Sequence, residues 1–180
     1  MNKPFLASAP ENKTLGASIR PVFDAMGDEV RDVVIDHHLA KLDTETWYPQ
    51  QEYLDVFNDI YERDFNVMHN MVAIGMRVLE NAQFPPDVNT LEEAIGSLDA
   101  YYHLNNKDNI GGWDVTINGK HATCVSTTPF PADFEYGVIY ALVRRFLPKN
   151  HTFTVTYDGA DLVHKGVDAP CTYQVVWKFS

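Results

Sequence analysis

The chain has 180 residues, 45% hydrophobic and 12% aromatic, enough to bury one substantial core in a single domain. Its formal net charge of −11 argues against a nucleic-acid partner, because proteins that grip phosphate backbones neutralise them with Lys and Arg, and equally against an anionic membrane surface. Two cysteines, Cys124 and Cys171, give neither a disulfide framework nor a CxxC motif, and MNKPFLASAPENK lacks the apolar run of a signal peptide.

Two thiols in a reducing, cytoplasmic setting are therefore expected, although the sequence leaves a single disulfide between them open. No stretch approaches the roughly 20 apolar residues of a membrane span.

In chain order, residues 1–13 carry two prolines and little periodicity and read as a flexible leader. From Thr14, Leu15, Ile19, Val22, Phe23 and Met26 recur at helical spacing, with Pro21 marking a kink or a first turn. Gly27 breaks the pattern, and DEVRDVVIDHHLAKL continues as a second helix with Asp28 as N-cap. Pro49 opens a third helix carrying Tyr53, Leu54, Phe57, Ile60 and Tyr61. Asn66 starts a fourth, and Phe84-Pro85-Pro86 ends it. Thr90-x-x-Glu93 is a capping box ahead of Leu91, Ile95, Leu98 and Tyr102 in a fifth.

The period then changes. Trp113, Val115 and Ile117 alternate with polar residues, and Asn118-Gly119 is a strong hairpin signal. A helix holding Phe134, Ile139, Leu142, Val143 and Phe146 follows Pro131 and stops at Pro148. Phe153, Val155 and Tyr157 alternate again, Asp158-Gly159 offers a second tight turn, and Cys171, Tyr173, Val175 and Trp177 form the inward face of a last strand. The expectation is an α+β fold: about five helices over 14–106, then a β-β-α-β-β curved antiparallel sheet unit over 110–178, in one domain spanning 14–180.

Chemistry is less legible than fold. His37 and His38 are adjacent, so a helix directs them about 100° apart rather than to one metal. His69 and His103 are each lone histidines; one such residue can hold a haem iron from one side, but it also simply fills a core or surface position. Ser126 is not in GxSxG, and neither cysteine neighbours a histidine, so no catalytic signature emerges and an enzyme is the less favoured reading. Met68, Met71 and Met76 sit in a chain rich in Phe and Tyr; a plain core and an adaptable apolar pocket both account for them.

The order of elements resembles the haem-nitric-oxide/oxygen-binding (H-NOX) superfamily, together with the 4-vinyl-reductase-type ligand-binding domains and the TRAPP-like subunits. WYPQQEYLDVFNDIY resembles the Tyr-Pro opening of an H-NOX helix. LEEAIGSLDAYYH is similar to the segment whose Leu-Asp-x-x-His supplies the proximal haem ligand, with His103 standing one residue beyond that spacing. DFEYGVIYALVRRF resembles the helix after the propionate motif, and GVDAPCTYQVVW the close of the vinyl-reductase-type domains. The Tyr-x-Ser-x-Arg propionate motif falls on Cys124-Val125-Ser126-Thr127-Thr128, where Ser126 alone matches. The similarity runs from Leu15 to Trp177.

This resemblance implies a cytoplasmic small-ligand-binding or sensory domain that signals to an effector protein in trans, with homodimerisation as a further expectation. Its ligand is small and apolar, or haem-like. Haem is the cofactor the resemblance implies, with His103 as its metal ligand. The candidate ligand-binding residues are His103, Met71, Ser126, Phe134, Tyr140 and Tyr173. A non-catalytic scaffold or dimerisation module of TRAPP-like type, and a haem-based gas sensor using His103, are the alternatives.

Overall fold

The computed structural model describes residues 4–26, 35, 37, 39, 41–62, 67–80, 82, 84–108, 111–159, 166 and 168–180, with the side chains of 67–70 outside that description. The helix expected over DEVRDVVIDHHLAKL lies largely outside the described residues, as do the side chains of Met68 and His69.

Helical periodicity governs the first part. α1 (Gly16–Met26) buries Ile19, Val22 and Ala25, with Pro21 inside it. α2 (Gln50–Glu62) follows Pro49 and buries Tyr53, Leu54, Val56, Phe57 and Ile60. α3 (Val67–Glu80) contributes Met71, Ile74 and Leu79 to the interior. The capping box opens α4 (Leu91–Gly96): Thr90 Oγ1 accepts from Glu93 N–H at 3.2 Å, and Glu93 Oε2 accepts from Thr90 N–H at 3.0 Å. The helix expected to continue from there breaks at Ser97, whose hydroxyl donates back to Ala94 O at 2.8 Å; α5 (Leu98–Asn105) resumes beyond it.

Three short strands, β1 (Lys13–Leu15), β2 (Trp47–Pro49) and β3 (Asn106–Lys107), form an antiparallel sheet in the order β2-β1-β3. Segments of two or three residues carry no readable period, so the sequence did not announce them. The leader is tied down as well. Phe5 is buried, its N–H donates to Asn58 Oδ1 at 2.8 Å, and its carbonyl accepts from Asn58 Nδ2 at 2.9 Å.

The second part is β4 (Trp113–Asn118), β5 (His121–Ser126), α6 (Ala132–Phe146), β6 (His151–Gly159) and β7 (Cys171–Phe179). The strands make one antiparallel sheet, β4-β5-β7-β6, matching the expected β-β-α-β-β unit. Asn118 pairs with His121, so Gly119 takes the first of two loop positions, with φ of 59°. Asp158-Gly159 makes no turn: both residues lie in β6, opposite Thr172 and Cys171. Continued pairing with β7 overrides the local turn preference there.

α6 joins the two parts. Phe134 packs into the helical core against Phe57 at 5.5 Å between ring centroids, while Ile139, Leu142 and Val143 belong to the core over Tyr173, Val175 and Trp177. Its crossing with α3 is close because two glycines face each other's backbone. A Cβ on Gly137 would stand 2.1 Å from Val72 O, and one on Gly75 would stand 2.1 Å from Phe134 O. Among the described residues no helix is long and apolar enough to cross a membrane.

Candidate functional site

Where α5 and the start of β4 meet α1, α2, α3 and α6, the packing leaves a cavity of about 220 Å³. Val22, Leu79, Leu98, Val138 and Leu142 give it aliphatic walls, and Tyr53, Trp113, Phe130 and Phe134 give it aromatic ones. The rings form a linked cluster, with Tyr53 5.5 Å from Phe130 and Phe130 6.2 Å from Phe134. Cavities that hold small molecules have this character, apolar with few polar groups.

α5 determines which side chain reaches the cavity. Consecutive residues of a helix point about 100° apart, and here Tyr102 turns inward while His103 turns out. Tyr102 is 6% exposed and lines the cavity. The His103 side chain is 47% exposed, and its Nε2 lies 3.4 Å from Asp99 Oδ1. Asp99 Oδ1 also accepts from Trp113 N–H at 2.8 Å, which staples α5 to the first residue of β4 and sets the indole at the cavity. Gly112 permits this approach. Its φ is 154°, and a Cβ there would lie 2.4 Å from Asp99 Oδ1.

Behind Tyr102 is a buried amide cluster. Asn106 Oδ1 accepts from Thr14 Oγ1 at 2.8 Å and from Gln50 Nε2 at 3.2 Å, and Asn106 Nδ2 donates to Tyr102 O at 2.9 Å. Two buried polar side-chain atoms lack a hydrogen-bond partner among the described residues, Tyr102 Oη and Gln50 Oε1. Burial pushes the Tyr102 hydroxyl above its ordinary range, and the Gln50 side chain beside it draws it the other way.

A second polar cluster lies where the N-terminal turn of α6 meets the sheet. Glu135 is 3% exposed and also lines the cavity. Its Oε1 accepts from Ser126 Oγ at 3.0 Å and from Thr128 Oγ1, and its Oε2 accepts from Tyr173 Oη at 2.9 Å. Tyr173 Oη lies 3.0 Å from Ala132 O as well. Burial first, then Glu135 and Cys171 beside it, pushes the Tyr173 hydroxyl far above its ordinary range.

The six candidate residues therefore scatter. Phe134 lines the cavity. Ser126 and Tyr173 bond Glu135 behind its wall, Met71 is buried in the helical core, and Tyr140 packs at a tilt against Phe153, 5.1 Å between ring centroids. His103 faces away from it. Sequence reasoning missed Tyr102, Trp113 and Glu135. Tyr102 had a signal, because it occupies the in-register position of the Leu-Asp-x-x-His spacing. Glu135 had none, since acidic residues at a helix start ordinarily read as solvated groups favoured by the dipole. His37 bonds Asp59 of α2 at 3.0 Å.

Haem needs an inward axial ligand, cationic partners for its propionates and room for a macrocycle. His103 points outward, and no Arg or Lys lines the cavity among the described residues. Ser126 and Thr128 are turned to Glu135. The 220 Å³ volume lies below the ~300–1,000 Å³ of sites for drug-sized ligands, which are smaller than a haem. These residues do not fit haem.

Cys124 and Cys171 are both free and buried. Cys124 stands opposite Tyr173, and Cys171 opposite Ser126, so the thiols are diagonal neighbours. Such pairs stand about 7–8 Å apart, beyond easy disulfide reach. Burial pushes the Cys124 thiol up to about 12 from 9.0, and it raises the Tyr53 hydroxyl as well. The unfolded chain, with a thiol near 9.0 and phenols near 10.0, thus releases these protons first as pH rises. Stability from this source is fully present below pH 9.0 and is lost above it. Thermal melts should show a Tm that is level up to that pH and then falls; a level Tm far into the alkaline range would contradict these burials.

No protein-family model matches this sequence, and no curated protein matches it. Solved structures do. An oxygen-binding H-NOX domain related to soluble guanylate cyclases, in its oxygen complex, superposes with a TM-score of 0.64 at 12% identity, covering 91% of this chain and 92% of that one. An H-NOX structure bearing on the mechanism of H-NOX activation gives 0.60 at 15% identity, covering 91% and 94%. The H-NOX domain from Shewanella oneidensis in the Fe(II)CO state gives 0.61 at 10% identity, covering 88% and 97%. The chain has an H-NOX-like fold.

Proposed function

We propose that this protein is a sensory domain that binds a small, mostly apolar molecule in the cavity beside Tyr102 and passes the event to a separate effector protein. The observation that carries this reading is the cavity itself, with aliphatic and aromatic walls and few polar groups among them. A ligand there would touch α1, α2, α3, α5 and α6 at once, so binding has a route to shift helices whose outer faces a partner can read. The fold neighbours are described as oxygen-binding and as an Fe(II)CO complex. That likeness of fold supports ligand sensing, while the outward His103 and the lack of Lys or Arg lining the cavity among the described residues argue for a ligand other than haem.

Native mass spectrometry of protein purified from cells, set against the denatured mass, tests this. A retained small molecule, with no Soret band after hemin is added, is the expected result. A haem mass whose Soret band disappears in His103→Ala would replace the reading with a gas sensor. A ligand-free dimer that binds no apolar probe would replace it with a scaffold.

A further inference from the structure

We infer that two copies of this chain pair through strand β6, their sheets joining edge to edge in antiparallel fashion about a two-fold axis at Val155. The inference stands apart from the question of what fills the cavity.

The sheet order leaves β6 at an edge, with no strand beyond it among the described residues. Its outward backbone groups can be named. Ser180 N–H donates to Asn150 O at 2.9 Å, and Trp177 N–H donates to Lys120 O at 3.0 Å. Bonded and non-bonded pairs alternate along an antiparallel ladder. In this register Thr152, Thr154, Thr156 and Asp158 therefore exchange bonds with β7, while Phe153, Val155 and Tyr157 present theirs to the free edge. Proteins blunt such edges by keeping them short, by bulging them, or by placing Lys or Pro on them. β6 does none of these: it pairs over nine residues without a bulge and contains neither Lys nor Pro.

An aromatic strip runs beside this edge. Tyr157 packs on Tyr136 at 5.2 Å between ring centroids, Tyr136 on Tyr140 at 6.0 Å, and Tyr140 on Phe153 at 5.1 Å. All four rings are half-buried. Aromatic residues at this exposure are enriched where proteins meet.

The charges at the two ends of the strip select the occupant. At one end are Asp158 and Asp133, which accepts from Tyr157 Oη. At the other, Arg144 stands one turn beyond Tyr140 on the same face of α6, and Lys149 lies in the connection to His151. A two-fold axis reverses the strip, so the acidic end of each copy meets the basic end of its partner. With the axis at Val155, Phe153 faces the partner's Tyr157, and Thr154 faces the partner's Thr156. One contact then closes the open edge and covers the rings in both copies. α6 would carry cavity wall on one side, through Phe134, Val138 and Leu142, and dimer contact on the other.

Analytical ultracentrifugation of the full chain tests this with two double variants at exposed positions. Thr154→Lys with Thr156→Lys sets lysine opposite lysine twice across the axis, and like charges directly opposite are destabilising. Thr154→Lys with Thr156→Glu sets lysine opposite glutamate twice. Wild type should sediment as a dimer, and the first variant should dissociate about tenfold or more readily than the second, with circular dichroism unchanged in both. Overall charge predicts the reverse order, because added lysines reduce the net −11 that keeps copies apart. A monomeric wild type, equal dissociation constants for the two variants, or a tighter dimer in the first would overturn the inference.

Discussion

Gly137→Ala is expected to cost about 3 kcal/mol of stability, at the upper end of what overpacking a core imposes. The added methyl would meet backbone, not a side chain that can swing away: Val72 O would lie at 2.1 Å and Val72 C at 2.9 Å. Relief requires α3 and α6 to separate, and these helices carry Leu79, Val138 and Leu142 of the cavity wall. Stability and cavity geometry should therefore fail together. Gly96→Ala is the control, since a Cβ there meets nothing within 4 Å. Its effect should be near neutral or stabilising by some tenths of a kcal/mol. Urea titrations of the two variants decide it; similar midpoints would show that the close crossing of α3 and α6 is not what the packing requires.

Glu135→Ala is the second large effect. It removes the acceptor of Ser126, Thr128 and Tyr173 in a region closed to water. Each buried donor left without a partner costs about 1–3 kcal/mol, and some of this is recovered where the hydroxyls turn to one another, so a net loss of about 3–4 kcal/mol is expected. Ser126 Oγ already lies 3.4 Å from Thr128 Oγ1, and Tyr173 Oη keeps Ala132 O at 3.0 Å as an acceptor; both contribute to what is recovered. Glu135→Gln keeps the shape and one acceptor oxygen, so it should lose clearly less. Equal denaturation midpoints for Glu135→Ala and wild type would mean that the cluster adds nothing to stability.

Much of the fold was legible because long elements write their period into the sequence. α2 repeats apolar residues at helical spacing, β7 alternates Cys171, Tyr173, Val175 and Trp177, and Thr90 and Glu93 mark the start of α4. What was missed depended on contacts distant in sequence. Phe5 is held by Asn58 of α2, and the Asp158-Gly159 turn signal yields to pairing with β7. The site was less legible for the same reason. The choice between Tyr102 and His103 is a matter of about 100° of helix rotation, fixed by the bond from Asp99 to the Trp113 backbone. Glu135 looks like a surface acid until three hydroxyls from two strands and a loop close on it.

The most direct measurement of the central claim is a methyl-labelled NMR titration of the full chain with toluene. The cavity account predicts shifts concentrated on the methyl groups of Val22, Leu79, Leu98, Val138 and Leu142, which line the cavity from α1, α3, α5 and α6. Shifts confined to exposed methyls such as those of Leu6 and Leu104, or no shifts at all, would contradict it.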